Sequence, residues 1–244
     1  MSSFDRLERH KRHILLKEIG GPGLAKLAGA KVTLIGAGAL GGPCALYLAA
    51  AGVGHIKIYD DDQVDLSNLQ RQVQFTEAEI GALKAESLAA RLRQNNSDIQ
   101  VTAIPERFHA GTDLDGDVVV DATDTFTARY AINEAAARAK IRLVSGAATG
   151  WQGQLGVFTP GQPAIGPCYR CLVPEPPEQA EDCSTLGVVG AVTGIVGARM
   201  ALETLRLLTG AGPSPIGWFW TFDGLTGTGR RMRVHPDPEC DVCS

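Results

Sequence analysis

The chain has no continuous apolar h-region behind its basic start. Met1 to Lys17 carries several basic residues but only short apolar runs, so no secretory signal peptide is expected. It also has no apolar run long enough for a bilayer: the longest near-apolar stretch, Leu186 to Ala198, is too short and is closed by Arg199. Excess positive charge is missing too. With a formal net charge of −4, neither a nucleic-acid polyanion nor an anionic membrane is an expected partner. No internal repeat is visible. These absences describe a soluble, cytoplasmic protein, and 244 residues suffice for one large α/β domain or a core with a small appendage. Six cysteines are present, four of them as two C-x-x-C pairs. In a chain expected to stay inside the cell, metal binding is the better reading of such pairs than disulfides.

Apolar patterning then sets out the organisation. Lys31 to Gly36 reads as a short strand, followed by a glycine turn and an Ala/Leu-rich helix to about Ala51. His55 to Tyr59 reads as a second strand ending in Asp60, Asp61 and Asp62, and Gly81 to Gln94 as a helix. Ile99 to Ile104, Asp117 to Asp121 and Arg142 to Val144 read as strands, with a helix near Ala128 to Ala139 before the last. Alternating strands and helices predict a doubly wound, Rossmann-like, mostly parallel sheet whose crevice lies at the carboxyl ends of its strands. After Gly146 the texture changes. Gln154 to Thr159, Trp218 to Phe222 and Arg231 to Val234 read as antiparallel strands extending that sheet. Gly161 to Asp182, rich in proline and acid residues, is too long for a plain connector and reads as functional or mobile. A helix from Leu186 to Leu208 carries Gly187, Gly190, Gly194 and Gly197, a spacing that lets another element approach closely; its apolar surface reads as core and dimer interface.

Gly36-Ala37-Gly38-Ala39-Leu40-Gly41 follows the first strand and opens a helix. Its glycines allow a tight turn and bring phosphates to backbone N–H groups at the positive helix end. Asp60, nineteen residues after Gly41, stands where a carboxylate accepts hydrogen bonds from ribose hydroxyls. This predicts an adenine nucleotide without separating ATP from NAD; a turn serving only helix–strand packing is the alternative. Asp65-Leu66-Ser67-Asn68-Leu69-Gln70-Arg71-Gln72 and Lys84 favour ATP, because a triphosphate losing pyrophosphate needs fixed cations where charge builds. Either cation alone reads as a solvated surface charge. Asp124, where the fourth strand leaves the sheet, can hold Mg²⁺ against the phosphates or cap the following helix. Cys168, Cys171, Cys240 and Cys243 suit a closed tetrahedral Zn²⁺ site tying the acidic loop to the C-terminal tail, with two redox pairs as the alternative. Cys183, just before a helix, is a candidate nucleophile: a helix N-terminus lowers a thiol pKa, though Glu181 and Asp182 oppose ionisation. Cys44 reads as a small core residue.

Taken together, Gly36 to Gly41, Asp60, Ser67 to Gln72, Lys84, the Asp124 region and Cys168-Tyr169-Arg170-Cys171 resemble the ThiF/MoeB/HesA group, bacterial relatives of the ubiquitin-activating enzymes. The resemblance runs from Arg9 to Cys243. It implies a single domain over 1–244, with an N-terminal helical arm (1–28), a nucleotide-binding half (29–146) and a carrier-binding, zinc-bearing half (147–244). It implies a homodimer that binds Mg-ATP and adenylylates the terminal Gly-Gly of a ubiquitin-like sulfur carrier, ThiS-like or MoaD-like, for thiamine or molybdopterin cofactor synthesis. By matched position Asp60 holds the ribose, Asn68, Arg71 and Lys84 act on the phosphates, and Asp124 binds magnesium. Gly36, Gly38, Gly41, Ser67, Leu69 and Gln70 belong to the same nucleotide motifs. Arg12 matches an arginine that reaches the partner protomer's site, and from the residues alone it is a surface cation on a short amphipathic helix. Thr125 departs from the asparagine common after the magnesium aspartate, and its hydroxyl still offers a polar contact. The cysteine matching Cys183 takes part in sulfur transfer in ThiF-like members, whereas MoeB-like members do not clearly depend on it. With the chain ending at Ser244, a separate sulfur donor, a cysteine desulfurase or a rhodanese, is expected. Three other readings stay open: an NAD-dependent oxidoreductase, an ATP-using relative acting on a modified tRNA base, and a non-catalytic nucleotide-sensing scaffold.

Overall fold

A computed structural model describes residues 3–176 and 187–243. Two helices, α1 (Ser3–Ile14) and α2 (Gly20–Gly29), lead into β1 (Lys31–Ile35), α3 (Gly41–Ala51), β2 (His55–Tyr59), α4 (Lys84–Asn95) and β3 (Gln100–Ile104). β4 (Val118–Asp121), α5 (Phe126–Ala139), β5 (Arg142–Thr149) and β6 (Gln152–Phe158) follow. The single turn α6 (Tyr169–Leu172), α7 (Gly190–Thr209), β7 (Trp218–Asp223) and β8 (Thr228–Arg233) come last.

Among the described residues the strands form one eight-stranded sheet in the order β3-β2-β1-β4-β5-β6-β7-β8. β3 through β5 run parallel, and β5 through β8 pair antiparallel, as the change of texture after Gly146 predicts. The central strands are apolar without alternation because both their faces are covered. Val32, Leu34, Val118, Val120 and Val144 pack with α3, α4 and α7 on one face; Ile35, Val119 and Leu143 pack with α5 on the other. Strand order reverses between β1 and β4, so the loops after these two strands open a crevice at their carboxyl ends.

Several boundaries differ from expectation: α4 begins at Lys84, β6 runs from Gln152 to Phe158 and β8 from Thr228 to Arg233. Two further differences have a visible cause. β5 runs on through Thr149, because Ser145 to Thr149, weak strand formers by composition, pair residue by residue with β6 across a turn at Gly150 (φ 54°). The last long helix starts at Gly190; Val188 instead bridges to Gly150, with the Gly150 N–H donating to Gly187 and the Val189 N–H to Gly150.

Of the glycines in that stretch, Gly190 and Gly197 permit close approach. A Cβ on Gly197 would stand 2.5 Å from the Leu40 carbonyl oxygen, whereas one on Gly194 meets nothing within 4 Å. Gly187 is likewise open. Gly197→Ala is therefore expected to lower unfolding free energy by about 1–3 kcal/mol through overpacking of α7 on α3. Gly194→Ala should raise it by up to about 1 kcal/mol through helix propensity. Urea denaturation of both variants checks the opposite signs.

Candidate functional site

The glycine turn after β1 is shaped by contact with the loop after β4. Gly36 has φ 95°, and a Cβ there would lie 2.7 Å from the Ala122 carbonyl oxygen; one on Gly41 would lie 1.9 Å from the Gly36 carbonyl oxygen. No other residue fits either position. Asp60 leaves β2 beside this turn. Its Oδ2 accepts from the Ala37 N–H at 2.6 Å and its Oδ1 from the Asp62 N–H at 2.9 Å. Burial raises the Asp60 carboxyl above its usual range, against the pull of those two N–H groups and of Lys84. The carboxylate therefore secures the turn.

Ser67 to Gln72 is wound into tight turns. Asp65 Oδ1 accepts from the Ser67 N–H and hydroxyl, Asn68 Nδ2 reaches Ser67 Oγ at 3.4 Å, and the Arg71 and Gln72 N–H groups donate back to the Asn68 carbonyl. Leu69 packs on the main core, while Gln70 is exposed. Arg71 is half-buried, its guanidinium donating to the Ser67 carbonyl at 3.1 Å, and a Cβ on Gly190 would lie 2.7 Å from the Gln70 carbonyl oxygen. The start of α7 thus backs the segment. Gln72 is buried, with its amide nitrogen 3.5 Å from where a Cβ on Gly38 would stand. Lys84 is the first residue of α4 and only 5 % exposed; its Nζ donates to Asp62 Oδ2 at 2.8 Å. Asp62 as the counter-ion of Lys84 was hidden in the sequence inside a run of three aspartates.

Asp124 is exposed at the mouth of the crevice and has no ion pair or hydrogen bond among the described residues. It is not the cap of α5: Thr125 Oγ1 accepts from the Ala128 N–H instead. A buried network holds the loop below it. Arg129 donates to the Thr123 carbonyl at 2.6 Å and to Ser145 Oγ at 3.2 Å, while Ser145 and Thr123 hydroxyls donate to the two oxygens of buried Asp121, each at 2.6 Å. Arg129 and Asp121 form an ion pair at 3.7 Å, both nearly inaccessible. Sequence reasoning missed Arg129, which reads as an ordinary helix cation until its depth is known. Arg12, in the last turn of α1, is exposed and makes no ion pair or hydrogen bond among the described residues. Cys183 lies outside the described residues. Cys44 is buried in α3, where desolvation pushes its thiol far up and leaves it an inert core residue.

The sulfurs of Cys168, Cys171, Cys240 and Cys243 all lie within 4.8 Å of one another. Cys168 Sγ is 3.8 Å from Cys171 Sγ and 3.5 Å from Cys240 Sγ, and Cys171 Sγ is 3.9 Å from Cys243 Sγ. Tetrahedral thiolates about 2.3 Å from an ion stand about 3.8 Å apart, so the four residues fit one metal ion. A disulfide, at about 2.05 Å, is far shorter than any of these separations. Burial raises the Cys168 thiol and pushes Cys243 up to about 11; a divalent cation supplies the charge that offsets this. The cluster is bolted to α5, since the Tyr169 N–H donates to Asn133 Oδ1 at 2.9 Å, the Tyr130 hydroxyl donates to the Val173 carbonyl, and the Arg170 guanidinium stacks 4.5 Å from the Tyr130 ring centre. Among the described residues no helix is long and apolar enough to cross a membrane.

Known proteins resemble the chain along nearly its whole length. The ThiF family model matches residues 10–242. The Anopheles gambiae protein named adenylyltransferase and sulfurtransferase MOCS3 is 42 % identical over 251 residues, covering 98 % of this chain and 55 % of that protein; the chain therefore spans about half the length of such relatives. The Escherichia coli sulfur carrier protein ThiS adenylyltransferase is 43 % identical over 239 residues, covering 96 % of this chain and 94 % of that one. Among solved structures, Escherichia coli MccB with ATP superposes with a TM-score of 0.82 at 22 % identity, covering 98 % of this chain and 73 % of that chain, a likeness of fold.

Native mass spectrometry of the purified chain should find one divalent ion per chain. Cys171→Ala or Cys243→Ala should lose it and melt at lower temperature. A fully active, folded wild type with no ion would overturn the metal assignment.

Proposed function

The chain belongs to the ThiF family, and on that premise we propose that it is an ATP-dependent adenylyltransferase acting on the C-terminal carboxylate of a ubiquitin-like sulfur-carrier protein ending in Gly-Gly. The observation that supports this most is the meeting, at the β1/β4 crevice, of a glycine turn, a carboxylate suited to ribose, the Ser67–Gln72 turns with Arg71, and a buried lysine. An NAD site has no use for Arg71 and Lys84 beyond its pyrophosphate.

The reaction is an in-line displacement. A carrier carboxylate oxygen bonds to the α-phosphorus of ATP as the bond to the bridging oxygen breaks, giving an acyl-adenylate and pyrophosphate. The carboxylate is already ionised at neutral pH, so no general base is needed. What the protein supplies is position and compensating charge. Asp60 takes the ribose hydroxyls, Asn68, Arg71 and Lys84 the phosphates, with Asp62 holding the Lys84 ammonium in place before ATP arrives. Asp124, unpaired and exposed, suits a hard cation, and magnesium bound there would neutralise charge on the phosphates. The four cysteines would hold a structural zinc ion, their sulfurs leaving no position open to substrate.

The finer reading is a homodimer in which Arg12 serves the partner's site. Its own α1 packs at the far end of α3, where a Cβ on Gly52 would stand 2.9 Å from the His10 ring. Eleven residues of α3 separate that end from the glycine turn, about 16 Å at 1.5 Å per residue, and this placement of α1 supports a role for Arg12 outside its own crevice. The carrier body would dock on the antiparallel extension, where Gln154, Thr221 and Arg230 stand in register on the face opposite the core residues Leu155 and Val157. A separate sulfur donor and a role for Cys183 in sulfur transfer complete the proposal. Thiamine-type and molybdopterin-type carriers both fit; a modified tRNA base as the activated carboxylate is the alternative ATP-using reading.

ATP–pyrophosphate exchange should appear only with a carrier whose Gly-Gly tail is intact. No exchange with any carrier, from metal-loaded protein able to bind ATP, would sink the reading. Asp124→Ala should lower exchange about 100-fold or more while retaining the cysteine-bound ion. Mixing Arg12→Ala with Asp124→Ala chains should restore about a quarter of wild-type activity, since half the randomly formed dimers carry one intact site of two. No recovery on mixing would argue that Arg12 acts within its own chain.

A further inference from the structure

Gln74 follows the phosphate-facing turns and is 1 % exposed. Its Nε2 donates to the carbonyl of Ala37 at 2.8 Å and to that of Gly38 at 3.1 Å. Room for it is made by Gly42 in the first turn of α3, where a Cβ would collide with the Gln74 carboxamide at 2.2–2.5 Å. Its Oε1 is buried with no hydrogen-bond partner. An unpaired buried acceptor costs stability, so a residue serving only to fill this notch would do better without the amide. The carboxamide cannot turn over either, because that would set Oε1 against two carbonyl oxygens.

We infer that Gln74 is a positioning residue for the nucleotide loop, a role that rests on the ATP reading above. In a trans peptide the N–H points away from the C=O. Drawing the Ala37 and Gly38 carbonyls inward therefore turns the Gly38 and Ala39 N–H groups outward, at the open N-terminal end of α3, where phosphates bind. Those two N–H groups make no hydrogen bond among the described residues. The Ala37 N–H is held from the opposite side by Asp60, so one residue of the turn is gripped at both its donor and its acceptor.

The test is ATP binding by calorimetry, with carrier-dependent exchange measured beside it. Gln74→Met fills the notch and donates nothing. It should weaken ATP binding about tenfold, equivalent to about 1.4 kcal/mol, raise KM for ATP to match, and leave the KM for carrier and the metal content unchanged. Wild-type ATP affinity in folded Gln74→Met would overturn the inference. Should that variant not fold, Gln74→Glu carries the test: once ionised its carboxylate repels the two carbonyls, so its ATP affinity should fall as pH rises more steeply than that of the wild type. An unchanged pH profile would overturn the role. Wild-type protein that binds no ATP would refute the ATP reading itself, a failure seen before any variant is made.

Discussion

At the head of β1, backbone lies against backbone with no side chain between, and the rest of the site takes its position from that contact. Gly36 at φ 95° lets the turn meet the Ala122 carbonyl, and Gly41 lets α3 begin against the Gly36 carbonyl. Because the strand order reverses there, these two loops border the one crevice that the sheet's topology opens. Asp60 then fixes the turn through the Ala37 N–H. Lys84 reaches the same neighbourhood from the start of α4, with its charge matched by Asp62.

The second loop of the crevice is supported from below. Asp121, Ser145, Thr123 and Arg129 close a buried ring of hydrogen bonds under Asp124. Arg129 belongs to α5, and four residues on, Asn133 of that helix holds the N–H of Tyr169 between two of the cysteines. One helix therefore joins the Asp124 loop to the four-cysteine cluster through side chain–backbone bonds at both ends. A buried ion pair alone is weak evidence of stability; here the Arg129–Asp121 pair also fixes a loop that would otherwise be free to swing.

Much of this was legible in the sequence. The parallel strands are unbroken apolar runs, and the glycine turn with Asp60 announced a nucleotide fold. The C-x-x-C spacing announced a metal cluster, and the four sulfurs do meet. What escaped depends on pairs distant in sequence. β5 beyond Val144 is a strand only because β6 lies beside it. Nothing in the run of three aspartates marks Asp62 as the one that meets Lys84, and Gln74 is an unremarkable polar residue until it is found 37 positions away against the glycine turn. Asp124 and Thr125 could each have capped α5, and nothing local decides between them; the structure gives the cap to Thr125.

Cys168 and Cys240, 72 residues apart, bring the C-terminal tail back beneath α5 just beyond β8, a strand whose residues are all exposed. The outer edge of a strand at the margin of a sheet is a template for strands of other molecules. Tying the tail down a few residues past that margin limits how far the strand can peel away and offer both its sides. An ion held at the four cysteines would thus act at a distance as a guard against self-association: chains without it would become sticky before they lost the nucleotide fold.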